Sequence, residues 1–259
     1  MKLKDKFSKA IFIDTLKRIN KERKLFFYVV LMDIFFLASL FVLRMFFDNL
    51  NLIPTNKQQA FYFLFLGIAY NLLFIFAYSF FKHIILSFIK STFKKSELNF
   101  ERLTKFFMLN IAIFIILFFV FLLLGLFASG IKEGAAPWIT LVILFAYFAL
   151  AYVFVNISHV LFFEKNNIKE SLSNALKYLK SFKSYYGVYL SISFAFLVVI
   201  LLFSIFGNIL KFTLFQDYSS LLKYGNIYEI VFVNAVGIIF YIAILFNRFY
   251  FYNLVKKLE

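Results

Sequence analysis

His83 and His159 are the only imidazoles in a 259-residue chain that has no cysteine. They lie far apart in sequence. Neither belongs to a pair of histidines one helical turn apart with a glutamate between, the arrangement that lets a membrane metalloprotease hold zinc beside a general base. That class is excluded. The eight glycines are dispersed and no Gly-Lys-Ser or Gly-Lys-Thr triplet occurs, so the backbone cradle that nucleotide phosphates require is missing. An aspartyl site needs two carboxylates sharing one proton. Asp33 is the only aspartate well inside an apolar stretch, and Glu229 sits near the far end of another, at a different depth. His83 and His159 fall near the same ends of their apolar stretches, a placement that suits a shared metal or proton site. With no third ligand indicated, two interfacial imidazoles is the better reading. No cofactor and no catalytic residue is assigned, and the chain is read as a non-enzyme. Asn156-Ile157-Ser158 matches a glycosylation acceptor but lies in the half of its span read as cytoplasmic, so it is expected to stay unmodified.

The elements that carry these residues follow from composition. Hydrophobic residues make up 63% of the chain and charged ones 16%, with a mean hydropathy of +0.87, well beyond a soluble domain. A hydrocarbon core of roughly 30 Å needs about 20 apolar residues per helix. Stretches of that kind predict an all-α, polytopic bundle forming one integral membrane domain over 1–259. Six spans are expected: Leu25–Phe47, Ala60–Phe81, Phe106–Ala128, Pro137–Phe163, Tyr186–Asn208 and Ile227–Phe249. The first follows a basic head and has no convincing small-residue cleavage site after it, so it reads as a retained span. Pro137 suits a first helical position and Trp138 an interfacial belt.

Charge orients the spans, because Lys and Arg are retained preferentially in the cytoplasm. Of 28 basic residues, 23 lie in segments 1–24, 82–105, 164–185 and from Arg248 onwards. The opposite connections hold only Lys57, Lys132, Lys211 and Lys223, while Arg44 lies within the first span. Both termini are therefore expected in the cytoplasm of a multi-pass cell-membrane protein. The net charge of +15 resides in short loops rather than in a separate basic domain, so it points to anionic headgroups on the cytoplasmic leaflet and not to nucleic acid.

The first, third and fifth spans begin near Leu25, Phe106 and Tyr186, each after a basic segment. This regular spacing fits a threefold repeat of two-span hairpins in one orientation, though equal hairpins also arise without duplication. Within the third basic segment, Ile168, Leu172, Ala175, Leu176, Leu179 and Phe182 share one helical face, which predicts an amphipathic helix at the interface. It reads first as a lipid-surface helix and second as a coupling helix for a soluble partner. Weaker versions are Phe12, Leu16 and Ile19 before the first span, and Ile85, Phe88, Ile89, Thr92 and Phe93 after the second. Gly125 with Ser129 and Ser191 with Ala195 are small pairs suited to close helix packing.

The run Ile168-Lys169-Glu170-Ser171-Leu172, then Ala175-Leu176 and a basic residue before a new span, resembles a pattern in uncharacterised prokaryotic six-span proteins. These are similar to the membrane domain attached to some bacterial glycerophosphodiester phosphodiesterases. The resemblance covers a short stretch and implies an all-helical architecture only. The catalytic barrel of those enzymes has no counterpart here, and no catalytic residue carries over.

The intramembrane polar candidates are Asp33, Asn71, Asn156 and His159. Asp33 stands near the midplane of its span, where an isolated charge costs on the order of 3 kcal/mol, so it should face the bundle, be protonated or have a partner. The amide of Asn71 on the returning span is the expected partner. With no catalytic constellation, the expected role is a scaffold, biogenesis factor or subunit of a membrane assembly. The alternative is a transporter or permease component coupled to a separate cytoplasmic protein.

Overall fold

A computed structural model describes residues 2–48, 56–93, 99–130, 136–179, 194–199, 201–205 and 218–258. Among these residues every regular element is a helix: α1 (Lys2–Lys21), α2 (Arg23–Asp48), α3 (Lys57–Ser91), α4 (Phe100–Ser129), α5 (Ala136–Lys165), α6 (Ile168–Leu179), the short apolar α7 (Phe194–Ile205) and α8 (Tyr218–Leu258). Five of them, α2, α3, α4, α5 and α8, are long and apolar enough to cross a membrane. The expected fifth span, Tyr186–Asn208, is described only in part, through α7.

Helix starts are set by asparagine. The Asn56 side chain accepts from the Gln59 amide at 2.8 Å and opens α3, and Asn99 accepts from Glu101 N at 2.8 Å to open α4. Each satisfies an amide that the helix itself leaves without a partner. Asn166, with φ 54°, adopts the left-handed conformation that asparagine tolerates, and there the chain leaves α5. Asn167 Oδ1 then accepts from Glu170 N at 3.2 Å at the start of α6.

The chain divides into two compact units, Lys21–Lys180 and Met1–Asn20 with Ser181–Glu259. In the first, α2 and α3 form a hairpin in which Phe36 meets Tyr78 and Phe81, with ring centroids 6.1 and 5.8 Å apart. Packing of α3, α4 and α5 concentrates at one end. Ile85, Leu86, Ile89, Phe106, Leu109, Ile157, Leu161, Phe162 and Phe163 are all buried there, while Phe61–Phe65, Phe118–Leu123 and Leu141–Phe145 are largely exposed. Lipid tails are as apolar as leucine, so close packing and aromatic pairing rather than water exclusion hold such an end together. Phe106 is its centre, 5.5 Å from both the Phe162 and the Phe163 rings. Pairs of this kind contribute about 0.5–1.5 kcal/mol each.

The stretch after the second expected span differs from expectation. No Gly or Pro interrupts residues 82–91, and α3 continues unbroken to Ser91, with Ile85 and Ile89 buried. In the second unit, α1 packs on the end of α8. Phe12 meets Phe246 at 4.9 Å, Asn253 Nδ2 donates to Thr15 Oγ1 at 2.8 Å, and Lys257 Nζ donates to Asp14 Oδ2 at 2.6 Å. Further along α8, Phe232 and Phe240 meet Phe203 and Phe196 of α7 at 5.0 and 4.8 Å.

A buried polar ladder across three apolar helices

The packed end of α3, α4 and α5 contains polar side chains that a sequence this apolar must bury together, since a lone polar group in hydrocarbon costs several kcal/mol. Ser79 projects from α3, Asn110 from α4 and His159 from α5, and all three are buried. Their order is directional. Ser79 Oγ donates to Ile75 O at 2.6 Å, and Asn110 Nδ2 donates to Ser79 Oγ and to Phe106 O, both at 3.0 Å. Asn110 Oδ1 then faces His159 Nε2 at 2.7 Å.

This arrangement fixes the histidine tautomer. Turning the Asn110 amide round would set its oxygen against the Phe106 carbonyl, so the nitrogen must face that carbonyl and the oxygen must face His159. An amide oxygen only accepts, hence Nε2 carries the proton and Nδ1 of the neutral ring is the lone-pair nitrogen. Nδ1 is buried without a hydrogen-bond partner, as are His83 Nε2, Ser87 Oγ and Ser158 Oγ. The His83 and His159 rings flank Phe106, with centroids 6.0 and 4.9 Å from it, and His83 also lies 5.1 Å from Phe163.

Beside the ladder stand three cations. Lys82, only 7% exposed, places Nζ 3.4 Å from Asn156 Oδ1, while Asn156 Nδ2 donates to Tyr152 O at 2.8 Å. Lys90 Nζ donates to Phe163 O at 2.5 Å and lies 4.0 Å from Glu164 Oε1. Arg102 donates to the same carbonyl, with its guanidinium carbon 4.7 Å from the centre of the Phe163 ring. Carbonyls of the last helical turn lack intrahelical donors and carry the negative end of the helix dipole, so α3 and α4 each send a cation to close the end of α5.

Of the sequence candidates, Asn156 and His159 enter this region. Asp33 is buried at 6% exposure on α2. Asn71 is exposed on the outer face of α3, and its amide nitrogen donates to Gly67 O of its own helix at 2.8 Å. On α6 the buried positions are Ser171 and Ala175; Ile168, Leu172 and Leu179 are half-buried, and Leu176 is 56% exposed. The helix contacts α5 and α4, and its inward line is displaced from the stripe read in the sequence toward Ser171. Phe182 lies outside the described residues. Ser79, Asn110, Lys90 and Arg102 were missed. Asn110 carries a usable signal, an uncharged amide inside the most apolar helix, where a polar group demands a partner.

Chemically, the ladder offers one fixed acceptor nitrogen, His159 Nδ1, which has no hydrogen-bond partner among the described residues. Among the described residues, no group of three or more His, Asp or Glu could hold a metal ion. No family model, curated protein or solved structure matches the chain.

Proposed function

We propose that this chain is a non-enzymatic multi-pass protein of the cell membrane, acting as a scaffold, biogenesis factor or subunit of a larger assembly. The observation that carries the reading is how the buried polar groups are used. Ser79, Asn110 and His159 bond one another, while Lys90 and Arg102 bond the end of α5. Such contacts tie helices together instead of lining an open site. The tied end supports α6, whose amphipathic outward side bears exposed Leu176 between exposed Lys169 and Lys177. That side suits a cytoplasmic partner with an acidic rim around an apolar pocket.

The proposed topology has six spans and both ends in the cytoplasm. The Thr15–Asn253 and Asp14–Lys257 contacts join α1 to the end of α8, which supports an even number of crossings between them, with α7 belonging to the fifth and α8 forming the sixth. The basic bias of the same segments supports the cytoplasm as their side.

Gentle solubilisation followed by affinity purification tests the reading. A stoichiometric partner or a defined oligomer is expected, lost from Leu176→Glu with Lys177→Glu. A monodisperse monomer that brings nothing with it refutes the proposal.

A transporter component is the second reading, favoured by the buried nitrogens His83 Nε2 and His159 Nδ1, which have no hydrogen-bond partner within apolar helices. Proton or solute flux in proteoliposomes, abolished by His159→Gln, would select it.

A further inference from the structure

The opposite end of the α2–α3 hairpin carries a feature unrelated to the ladder. Arg44, Phe47 and Asp48 of α2 and Phe63, Leu66, Gly67 and Tyr70 of α3 line a cleft of about 460 Å3. Arg44 lies one apolar span beyond Lys24, about 30 Å along the helix at 1.5 Å per residue. The cleft therefore opens where the apolar span meets phospholipid headgroups. Its walls combine three chemistries. Among the described residues Arg44 engages Asp48 Oδ2 through Nε alone, at 3.2 Å, an arrangement in which both terminal guanidinium nitrogens suit two oxygens of one phosphate. The second carboxylate oxygen of Asp48 is suited to an ammonium group. Phe47 and Tyr70, in edge contact at 4.8 Å, supply an aromatic wall for that ammonium and for the first carbons of an acyl chain.

The pair is also unusual for its surroundings. Both side chains are mostly exposed, 76% and 67%, at the end of a helix otherwise made for lipid. An exposed ion pair four residues apart contributes little to stability, so holding the helix together is a weak explanation for the pair. Gly67 completes the cavity: a Cβ placed there meets nothing within 4 Å, which makes the residue an open wall instead of a helix contact.

We propose that this cleft binds one zwitterionic aminophospholipid, with its phosphate on Arg44, its ammonium on Asp48 and the aromatic wall, and a chain passing Gly67. Charge complementarity selects this occupant. The cleft presents one cation and one anion side by side, as does the headgroup in reverse.

Native mass spectrometry of the full chain in detergent tests it, using phosphatidylethanolamine, phosphatidylglycerol and diacylglycerol with identical acyl chains. Phosphatidylethanolamine should be retained at least about threefold better than phosphatidylglycerol, and diacylglycerol should be lost, since only the first matches both charges. Arg44→Gln should reduce phospholipid retention severalfold, Asp48→Asn should erase the preference between the two phospholipids, and Gly67→Leu should fill the cleft and prevent binding. The polar variants guard against misfolding of Gly67→Leu, with thermal unfolding as the common control. Equal retention of diacylglycerol, a preference for phosphatidylglycerol, or retention that Arg44→Gln and Asp48→Asn leave unchanged overturns the proposal.

Discussion

Asn110 Oδ1 lies 2.7 Å from His159 Nε2, and because the same amide donates to Ser79 Oγ and Phe106 O, it can only accept from the histidine. The imidazole proton is therefore held on Nε2. With two histidines in the chain, selective 15N labelling gives two imidazole spin systems. The one assigned to His159 should show a protonated Nε2 and an unprotonated Nδ1. Asn110→Ala should release this preference and cost about 1–3 kcal/mol, the penalty of leaving buried donors unpaired. A His159 ring protonated on Nδ1 in the wild-type chain would contradict the ladder.

The closing of α5 by two cations predicts unequal effects of substitution. Arg102 reaches Phe163 O while its guanidinium lies over the Phe163 ring, whereas Lys90 offers a compact ammonium to the same oxygen. Arg102→Lys should therefore recover only part of what Arg102→Gln loses, because lysine lacks the planar group that both stacks and bonds. The expected loss for Arg102→Gln is about 1–3 kcal/mol in detergent unfolding. Full rescue by lysine would show that charge alone matters.

Topology can be read from single introduced cysteines without a background of native thiols, since the chain has no cysteine. Single cysteines replacing Lys57, Lys132 and Lys223 should react with a membrane-impermeant maleimide applied outside intact cells. Those replacing Lys95 and Lys177 should react only after permeabilisation. Labelling of position 177 from outside would reverse the proposed orientation.

Acidification should loosen α1 from α8. The Lys257 ammonium, hydrogen-bonded to Asp14, holds that carboxyl below its ordinary value of 3.8, aided by Lys17 and Arg18. A carboxyl lowered on folding contributes stability at pH values above its unfolded value and loses it as pH falls through the lowered folded value. The contact should thus be intact at neutral pH and weaken below about pH 4. Both side chains are substantially exposed, so the effect should be small and should shrink with salt. Pepsin cleavage within α1 should rise over that acid range in the wild type. Asp14→Asn should make cleavage uniform across it; an unchanged acid dependence in this variant would assign the effect to another group.

How much of this was legible follows from the range of each signal. Long apolar runs announce α2, α3, α4, α5 and α8 because a helix crossing lipid must satisfy its own backbone bonds within one continuous segment. The true end of α3 was hidden by Lys82 and Lys90, which read as loop charges but are placed against Asn156 and the end of α5. Those acceptors lie more than seventy residues away, and periodicity carries no information across such a distance. The expected Asp33–Asn71 contact rested on depth alone. Asn71 is exposed and its amide nitrogen bonds Gly67 O one turn back, a contact within its own helix that apolar periodicity does not announce. His159 was recognised as a residue worth watching, but its state depends on Asn110, whose role emerges only when α4 lies against α5.

The contact between Thr15 and Asn253 joins residues 238 positions apart. A ribosome adding about 5–20 residues per second takes roughly 10–50 s to cover that interval. Throughout it, the helix bearing Ile11 and Thr15 has been made while the surface that receives it does not yet exist. Insertion of the intervening helices can proceed in the meantime, but completion of the second unit cannot. Truncation anywhere before Asn253 should consequently leave the beginning of the chain, as well as its end, exposed to cellular proteases.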